Sequence, residues 1–245
     1  MSAALVLLRH GESTANADGV FTGWTDAPLT ERGREQARGA GRLLAGAGLL
    51  PDVVHTSVLC RTVTTADLVL DETGRDWVPA HRSWRLNERH YGALTGRTKH
   101  QVRRSTDEAA YLAWRRSWAT PPPPAPAGAL PPWGDPRYTN LPPEAWPLTQ
   151  SLADVHARVL PYWADTIATD LSAGRTTLVV AHGNSLRALV AHLDRMDPAA
   201  VEHLDIPTGQ PLRYDFDPGQ RQLPGGGRYL DPDTAAAEAA LVHGQ

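Results

Sequence analysis

The sequence predicts an α/β fold: a single-domain three-layer sandwich with a mainly parallel sheet, helices on both faces and a proline-rich lid insertion. Two observations carry this. Short apolar runs alternate with helical stretches along the chain, as parallel strands do when they are buried under crossover helices. A length of 245 residues with a 41% hydrophobic fraction is enough to bury one large core.

The first element is a strand over residues 5–8, Leu-Val-Leu-Leu, which runs straight into Arg9. It is far too short to span a membrane and has no basic leader before it, so it reads as a buried first strand. Thr30 is the expected N-cap of a helix reaching to about Leu44, with Leu43 and Leu44 facing the sheet and Arg34, Arg38 and Arg42 on a solvated face. A strand at 53–56, a helix at 61–70 and a strand at 77–80 follow. The segment 121–147 is proline-dense and aperiodic. Its aromatics Trp133, Tyr138 and Trp146 favour an ordered lid over a free linker. Residues 152–171 read as one long helix with an apolar stripe of Val155, Val159, Trp163 and Ile167, kinked at Pro161. Strands at 177–181 and 212–216 complete the sheet, and the alanine-rich stretch after Leu230 forms a weak terminal helix.

A net charge of −3 gives no global electrostatic reason to expect nucleic acid or an anionic membrane as partner, so any anion specificity is local. One cysteine, Cys60, rules out an intrachain disulfide and a cysteine-rich zinc site, and suits a reducing cytoplasm. Of 24 basic side chains, 23 are arginine and one is lysine, Lys99. Where drift toward arginine is this complete, a retained ammonium hints at a position that needs a compact point charge.

The first strand delivers Arg9, His10, Gly11 and Glu12 to the carboxyl edge of the sheet, where ligands bind in open α/β folds. An isolated Arg-His-Gly is equally explained by any loop. A second His-Gly pair, His182-Gly183 followed by Asn184, occupies the same strand-to-loop position after the run 177–180, and together they put two imidazoles in one crevice. The helix beginning near Asn184 points free backbone N–H groups there as well. Arg9, Arg61 and the doublet Arg115-Arg116 converge on the same edge, and guanidinium forks match phosphate oxygens. No Walker loop, His-Glu-x-x-His or Cys-x-x-Cys pattern occurs, so neither nucleotide nor metal is indicated. What remains for two histidines among arginines is covalent phosphoryl transfer through a ring nitrogen, with Glu88 in the run Leu86-Asn87-Glu88-Arg89-His90-Tyr91-Gly92 as candidate acid.

These residues resemble the 2,3-bisphosphoglycerate-dependent phosphoglycerate mutases of the histidine phosphatase superfamily, over nearly the whole chain from Leu5 to about Leu230. The likeness is carried by Leu7-Leu8-Arg9-His10-Gly11-Glu12-Ser13, by Phe21-Thr22-Gly23-Trp24, by residues 86–96 with Lys99 and Trp114-Arg115-Arg116, and by the runs 182–187 and 206–209. The resemblance implies that His10 is phosphorylated, that Arg9, Arg61 and His182 surround the phosphoryl group, and that Glu88 is proton donor and acceptor. It implies that Asn16, Thr22, Gly23, Arg89, Tyr91, Lys99, Arg115, Arg116, Gly183 and Asn184 hold the phosphoglycerate. The lone lysine thus falls on a substrate position.

The implied reaction is interconversion of 3- and 2-phosphoglycerate in glycolysis and gluconeogenesis, primed by 2,3-bisphosphoglycerate, without metal, nucleic acid or membrane. The implied assembly is a homodimer or homotetramer in the cytoplasm. The alternative is a phosphatase of small phosphoesters that discharges the same phosphohistidine to water. Residues 1–230, with the insertion 121–147, form the mutase-like catalytic domain, and 231–245 a tail. Ala15 stands where the family usually has tryptophan, Cys60 where it usually has lysine, and the tail lacks lysines. These departures bear on the pocket wall, the local charge and the exclusion of water.

Overall fold

The computed structural model describes residues 3–126, 135–141, 145–217 and 222–244. Strand β1 (Ala3–Arg9) leads into a short helix α1 (Thr14–Ala17) and then α2 (Glu31–Gly46), whose first turn is capped by the Thr30 hydroxyl accepting from the Gly33 N–H. Next come β2 (Val53–Thr56), α3 (Cys60–Thr73) and β3 (Ala80–Arg82), then α4 (Lys99–Arg104) and α5 (Glu108–Arg116). The long helix is present as α6 (Leu152–Tyr162), a π turn (Trp163–Ile167) and α7 (Ala168–Ser172). The interruption expected at Pro161 is that widened turn, directly after the residue that cannot donate to the helical ladder. Strand β4 (Thr176–Ala181), α8 (Gly183–Leu193), α9 (Pro198–Glu202), β5 (Leu212–Phe216), β6 (Arg228–Tyr229) and α10 (Pro232–Gly244) complete the order.

Among the described residues the strands form one sheet in the order β3-β2-β4-β1-β5-β6, parallel from β3 to β1, with β5 antiparallel to β1 and β6 antiparallel to β5. The period-two alternation of a strand splits β1 between two cores. Leu5 and Leu7 pack with Val155, Val159 and Ile167 of the long helix and with α8; Val6 and Leu8 pack with Ala40 and Leu44 of α2 and with Ala66 and Val69 of α3. Leu44 enters the core as expected, whereas Leu43 is only half-buried and stays outside it.

The third strand is not where residues 77–80 suggested. Trp77 is 73% exposed, and the Val78 N–H turns back to the Arg75 carbonyl at 3.1 Å. Pro79, with no N–H to donate, sits before the edge strand rather than inside it. Among the described residues no helix is long and apolar enough to cross a membrane.

Candidate active site

Strands β1 and β4 run parallel with Arg9 opposite Ala181, so the two His-Gly pairs that follow them lie side by side at one sheet edge. The rings of His10 and His182, both buried, meet edge to face with centroids 5.0 Å apart. His10 Nδ1 lies 2.7 Å from the Gly11 carbonyl. A carbonyl only accepts, so the ring hydrogen is on Nδ1 and the lone pair on Nε2. Burial, with the Arg61 and Arg9 charges, holds this imidazole well below the usual histidine range, so it is neutral.

Each of the three nitrogens of Arg61 anchors the frame, with Nε donating to His182 Nδ1 at 3.2 Å, Nη1 to the Thr25 carbonyl and Nη2 to the Gly23 carbonyl, both at 2.9 Å. Because a guanidinium only donates, Nδ1 of His182 is the acceptor and its hydrogen is on Nε2. That hydrogen goes to Ser57 Oγ at 2.8 Å; Ser57 also accepts the Leu59 N–H and passes its own hydrogen to Thr62 Oγ1, which donates to the Leu59 carbonyl. The chain ends on a carbonyl, which gives it one polarity.

The loop after His10 touches α2 backbone to backbone. A Cβ on Gly11 would lie 2.1 Å from the Gly33 carbonyl oxygen, and one on Gly33 would lie 2.0 Å from that of Glu12. Only paired glycines allow this approach. The Gly11 N–H donates to Thr65 Oγ1 at 3.1 Å, which ties the same loop to α3.

Glu88 follows a 3₁₀ turn (Trp84–Leu86). Its Oε1 accepts from the Arg89 N–H at 2.7 Å, from Asn184 Nδ2 at 2.9 Å and from the Asn184 N–H at 3.2 Å. The last contact is the anticipated use of the α8 N-terminus, turned toward a carboxylate of the protein itself. The segment that carries Glu88 is clamped by Arg158. Its two terminal nitrogens donate to the carbonyls of Trp84, Arg85, Asn87 and Glu88, while burial pushes the guanidinium down to about 9. Trp24 Nε1 donates to the Glu88 carbonyl at 2.7 Å. Tyr138, fully buried, stacks on Trp24 at 5.2 Å and accepts from Asn87 Nδ2 at 2.9 Å, so the proline-rich insertion supports the same segment. Trp146 packs edge-on against Tyr138, and Trp133 lies outside the described residues.

Two adjoining recesses open at this edge. The inner one is lined by His10, Asn16, Thr22, Gly23 and Arg61, the outer by Arg89, Arg115, Arg116, Gly183 and Asn184; Arg9, Glu88, Tyr91 and Lys99 line both. His182 stands behind His10. All fifteen residues singled out in the sequence therefore converge. The outer recess is strongly cationic. Burial, then Arg115, Arg9 and Arg116, pushes the Lys99 ammonium down to about 8. Arg89 is buried over the Tyr91 ring at 4.8 Å, and its Nε and Nη1 have no hydrogen-bond partner; Nε of Arg9 and of Arg187 are in the same state. Arg116 pairs with Asp205 at 2.5 Å.

Sequence reasoning missed Ser13, Val20, Phe21, Arg187, Asp205 and Ile206 as lining residues. Arg187 was within reach, one helical turn after Asn184 on the same face. Of the departures, neither Ala15 nor Cys60 lines a recess. The tail helix α10 is tied back to the His10 loop through Arg32, which pairs with Glu238 at 2.8 Å and Glu12 at 3.3 Å. Among the described residues no group of His, Cys, Asp and Glu is arranged to hold a metal ion.

Residues 5–131 and 127–225 match the model of the histidine phosphatase superfamily (branch 1). The 2,3-bisphosphoglycerate-dependent phosphoglycerate mutase of Thermobifida fusca (strain YX) is 54% identical over 242 residues, 98% of this chain and 98% of that one. The protein of the same name from Mycobacterium tuberculosis (strain ATCC 25618 / H37Rv) is 55% identical over 243 residues, 99% of this chain and 97% of that one. Among solved structures, a mycobacterial glucosyl-3-phosphoglycerate phosphatase in complex with VO3 superposes with a TM-score of 0.66 at 28% identity, covering 86% of this chain and 92% of that one. A second, titled mycobacterial hydrolase 1, gives 0.69 at 26% identity over 91% and 96%. With two paired His-Gly loops at one sheet edge and relatives of this identity along its whole length, the chain belongs to the histidine phosphatase superfamily and, within it, to the family of the 2,3-bisphosphoglycerate-dependent phosphoglycerate mutases.

Proposed function

We propose that this protein interconverts 3-phosphoglycerate and 2-phosphoglycerate through a phosphohistidine at His10. The observation that carries the reading is a buried, neutral His10 whose Nε2 lone pair stands among Arg9, Arg61 and His182, one recess away from a cationic pocket. The unpartnered buried nitrogens of Arg9 and Arg89 suit a ligand with several anionic oxygens, as a bisphosphoglycerate is. Bound 2,3-bisphosphoglycerate supplies the phosphoryl group that charges His10.

His10 Nε2 bonds to phosphorus while Arg9 and the remaining N–H groups of Arg61 stabilise the transferring oxygens, and His182, its own nitrogens committed to Arg61 and Ser57, braces them from behind. Nδ1–H stays on the Gly11 carbonyl, so the ring leaves as a neutral imidazole when the phosphoryl group moves on. Glu88 takes the proton of the attacking 2-hydroxyl of 3-phosphoglycerate and returns a proton to the departing oxygen in the opposite half-reaction. Arg89, Lys99, Arg115 and Arg116 hold the carboxylate and the spectator phosphate; Asn16, Thr22, Gly23, Tyr91, Gly183 and Asn184 shape the wall. Gly183 lines the space between Arg9 and Glu88: a Cβ there would sit 3.6 Å from Arg9 Cζ and 3.8 Å from Glu88 Oε2, at ordinary contact distance.

Purified protein given 3-phosphoglycerate, with and without 2,3-bisphosphoglycerate, tests the reading when 2-phosphoglycerate and free phosphate are followed together. Primer-dependent isomer is expected. His10→Ala loses all turnover and Glu88→Gln most of it, on the order of a hundredfold or more. Release of phosphate with no isomer would overturn the mutase reading in favour of the hydrolysis that the titles of the solved neighbours name.

A further inference from the structure

We infer that Arg187 is a positioning residue for Glu88, acting through the side-chain amide of Asn184, and that it leaves Glu88 Oε2 as the oxygen that carries the transferred proton. The inference rests on the reading of Glu88 as proton donor and acceptor.

Arg187 is buried in α8 and faces the outer recess. Its Nη2 is anchored on two carbonyls, Val201 at 2.7 Å and Arg116 at 3.2 Å, and its Nη1 lies 3.1 Å from Asn184 Oδ1. An amide can present either end, but a guanidinium offers donors only, so the carbonyl end must face Arg187. The NH2 end is then forced the other way. It donates to Glu88 Oε1 at 2.9 Å and to the Tyr91 hydroxyl at 3.0 Å. Oε1 already receives the Arg89 and Asn184 backbone N–H groups, so three donors converge on one oxygen. A proton on that oxygen would meet all three head-on. It belongs on Oε2, the oxygen that faces the Gly183 gap beside the Arg9 guanidinium.

Without Arg187 only the ionised Glu88 carboxylate selects the amide orientation, and that selection lapses each time Glu88 takes up its proton. Asn184 can then present its carbonyl to Glu88, which replaces a donor with a second acceptor and makes Oε1 an alternative proton site. The effect is on proton transfer rather than on substrate binding. Burial, with Arg89 and Arg116 alongside, pushes the guanidinium only to about 10, so Arg187 remains charged at neutral pH.

The test is steady-state kinetics of Arg187→Met and Arg187→Lys on 3-phosphoglycerate with 2,3-bisphosphoglycerate, across the neutral pH range, with Glu88→Gln in parallel and each kcat normalised to the folded fraction. Arg187→Met is expected to lower kcat about tenfold with KM within about twofold. The acidic limb of its kcat profile should move to higher pH, because a carboxylate that loses a hydrogen-bond donor is harder to ionise. Arg187→Lys keeps one donor and should recover part of kcat with a smaller shift of the limb. A raised KM with kcat and the limb unchanged would make Arg187 a substrate ligand and overturn the inference. So would an unmoved limb in Arg187→Lys, the variant that decides if Arg187→Met does not fold. Wild-type turnover by Glu88→Gln would instead strike at the reading of Glu88 itself.

Discussion

The two recesses are built on opposite plans. In the inner one the polar groups are satisfied by the protein: all three nitrogens of Arg61 are bonded, His10 Nδ1 is on the Gly11 carbonyl, and His182 hands its hydrogen into the Ser57–Thr62 chain. In the outer one Arg89 is buried with two nitrogens unpartnered, and Lys99 is crowded by Arg115, Arg9 and Arg116. A satisfied network fixes atoms in place before the ligand arrives, which is what stabilising a phosphoryl transition state requires. An unsatisfied cationic pocket is costly when empty and is relieved by an anion, which is what binding requires. On the proposed reading, chemistry and affinity are divided between neighbouring cavities, with Arg9 and Glu88 lining both.

If the inner recess is rigid by construction, the severest perturbation is to its backbone. Gly11→Ala places a methyl 2.1 Å from the Gly33 carbonyl, and α2 or the His10 loop must move. Activity should fall by about a hundredfold or more, with at least about 2 kcal/mol lost from the unfolding free energy in denaturant titration. Retention of both would show that the loop is pliant and erase the contrast.

A smaller effect is expected from Ser57→Ala, which leaves the His182 Nε2–H without its acceptor. We expect kcat to drop roughly tenfold with KM unchanged, Ser57→Thr to recover much of it, and the His182 ring N–H signal in proton–nitrogen NMR to move. A KM effect instead would place Ser57 in the binding half of the site.

The mildest change sharpens the outer recess. Lys99 carries its charge below about 8 and loses it above, so affinity for an anionic substrate is full on the acidic side and declines as pH rises through that value. KM of the wild type should therefore climb across this window, while Lys99→Met starts about tenfold higher and shows no such climb, with kcat little altered in either. Parallel KM profiles for the two proteins would remove Lys99 from substrate binding.

Much of this was legible in the chain. Apolar runs located β1, β2, β4 and β5, and Thr30 marked the start of α2, because burial period and capping are local properties. Strand β3 was misplaced because its three residues are exposed and carry no apolar signal. Of the site, the two His-Gly pairs, the arginines and Glu88 could be named from their positions after strands. Ser57 and Arg187 could not be given roles in the same way, since each acts on a residue 125 or 3 positions away through an atom whose orientation depends on a third partner.

What the sequence determined alone is the inventory: a covered, mainly parallel sheet, two histidines delivered to its edge, and arginines with a single lysine gathered near them. The placing of the strands and the delivery of the histidines follow from periodicity, which is written residue by residue, whereas strand order came from tertiary pairing. What only the tertiary structure decided is the state of each group. The tautomer of His182, the anchoring of Arg61 to His182, Thr25 and Gly23, and the burial of Arg89 with two nitrogens unpartnered all depend on contacts between segments far apart in the chain. A hydrogen bond has direction, and its direction is set by the last partner to arrive, which no local stretch of sequence contains.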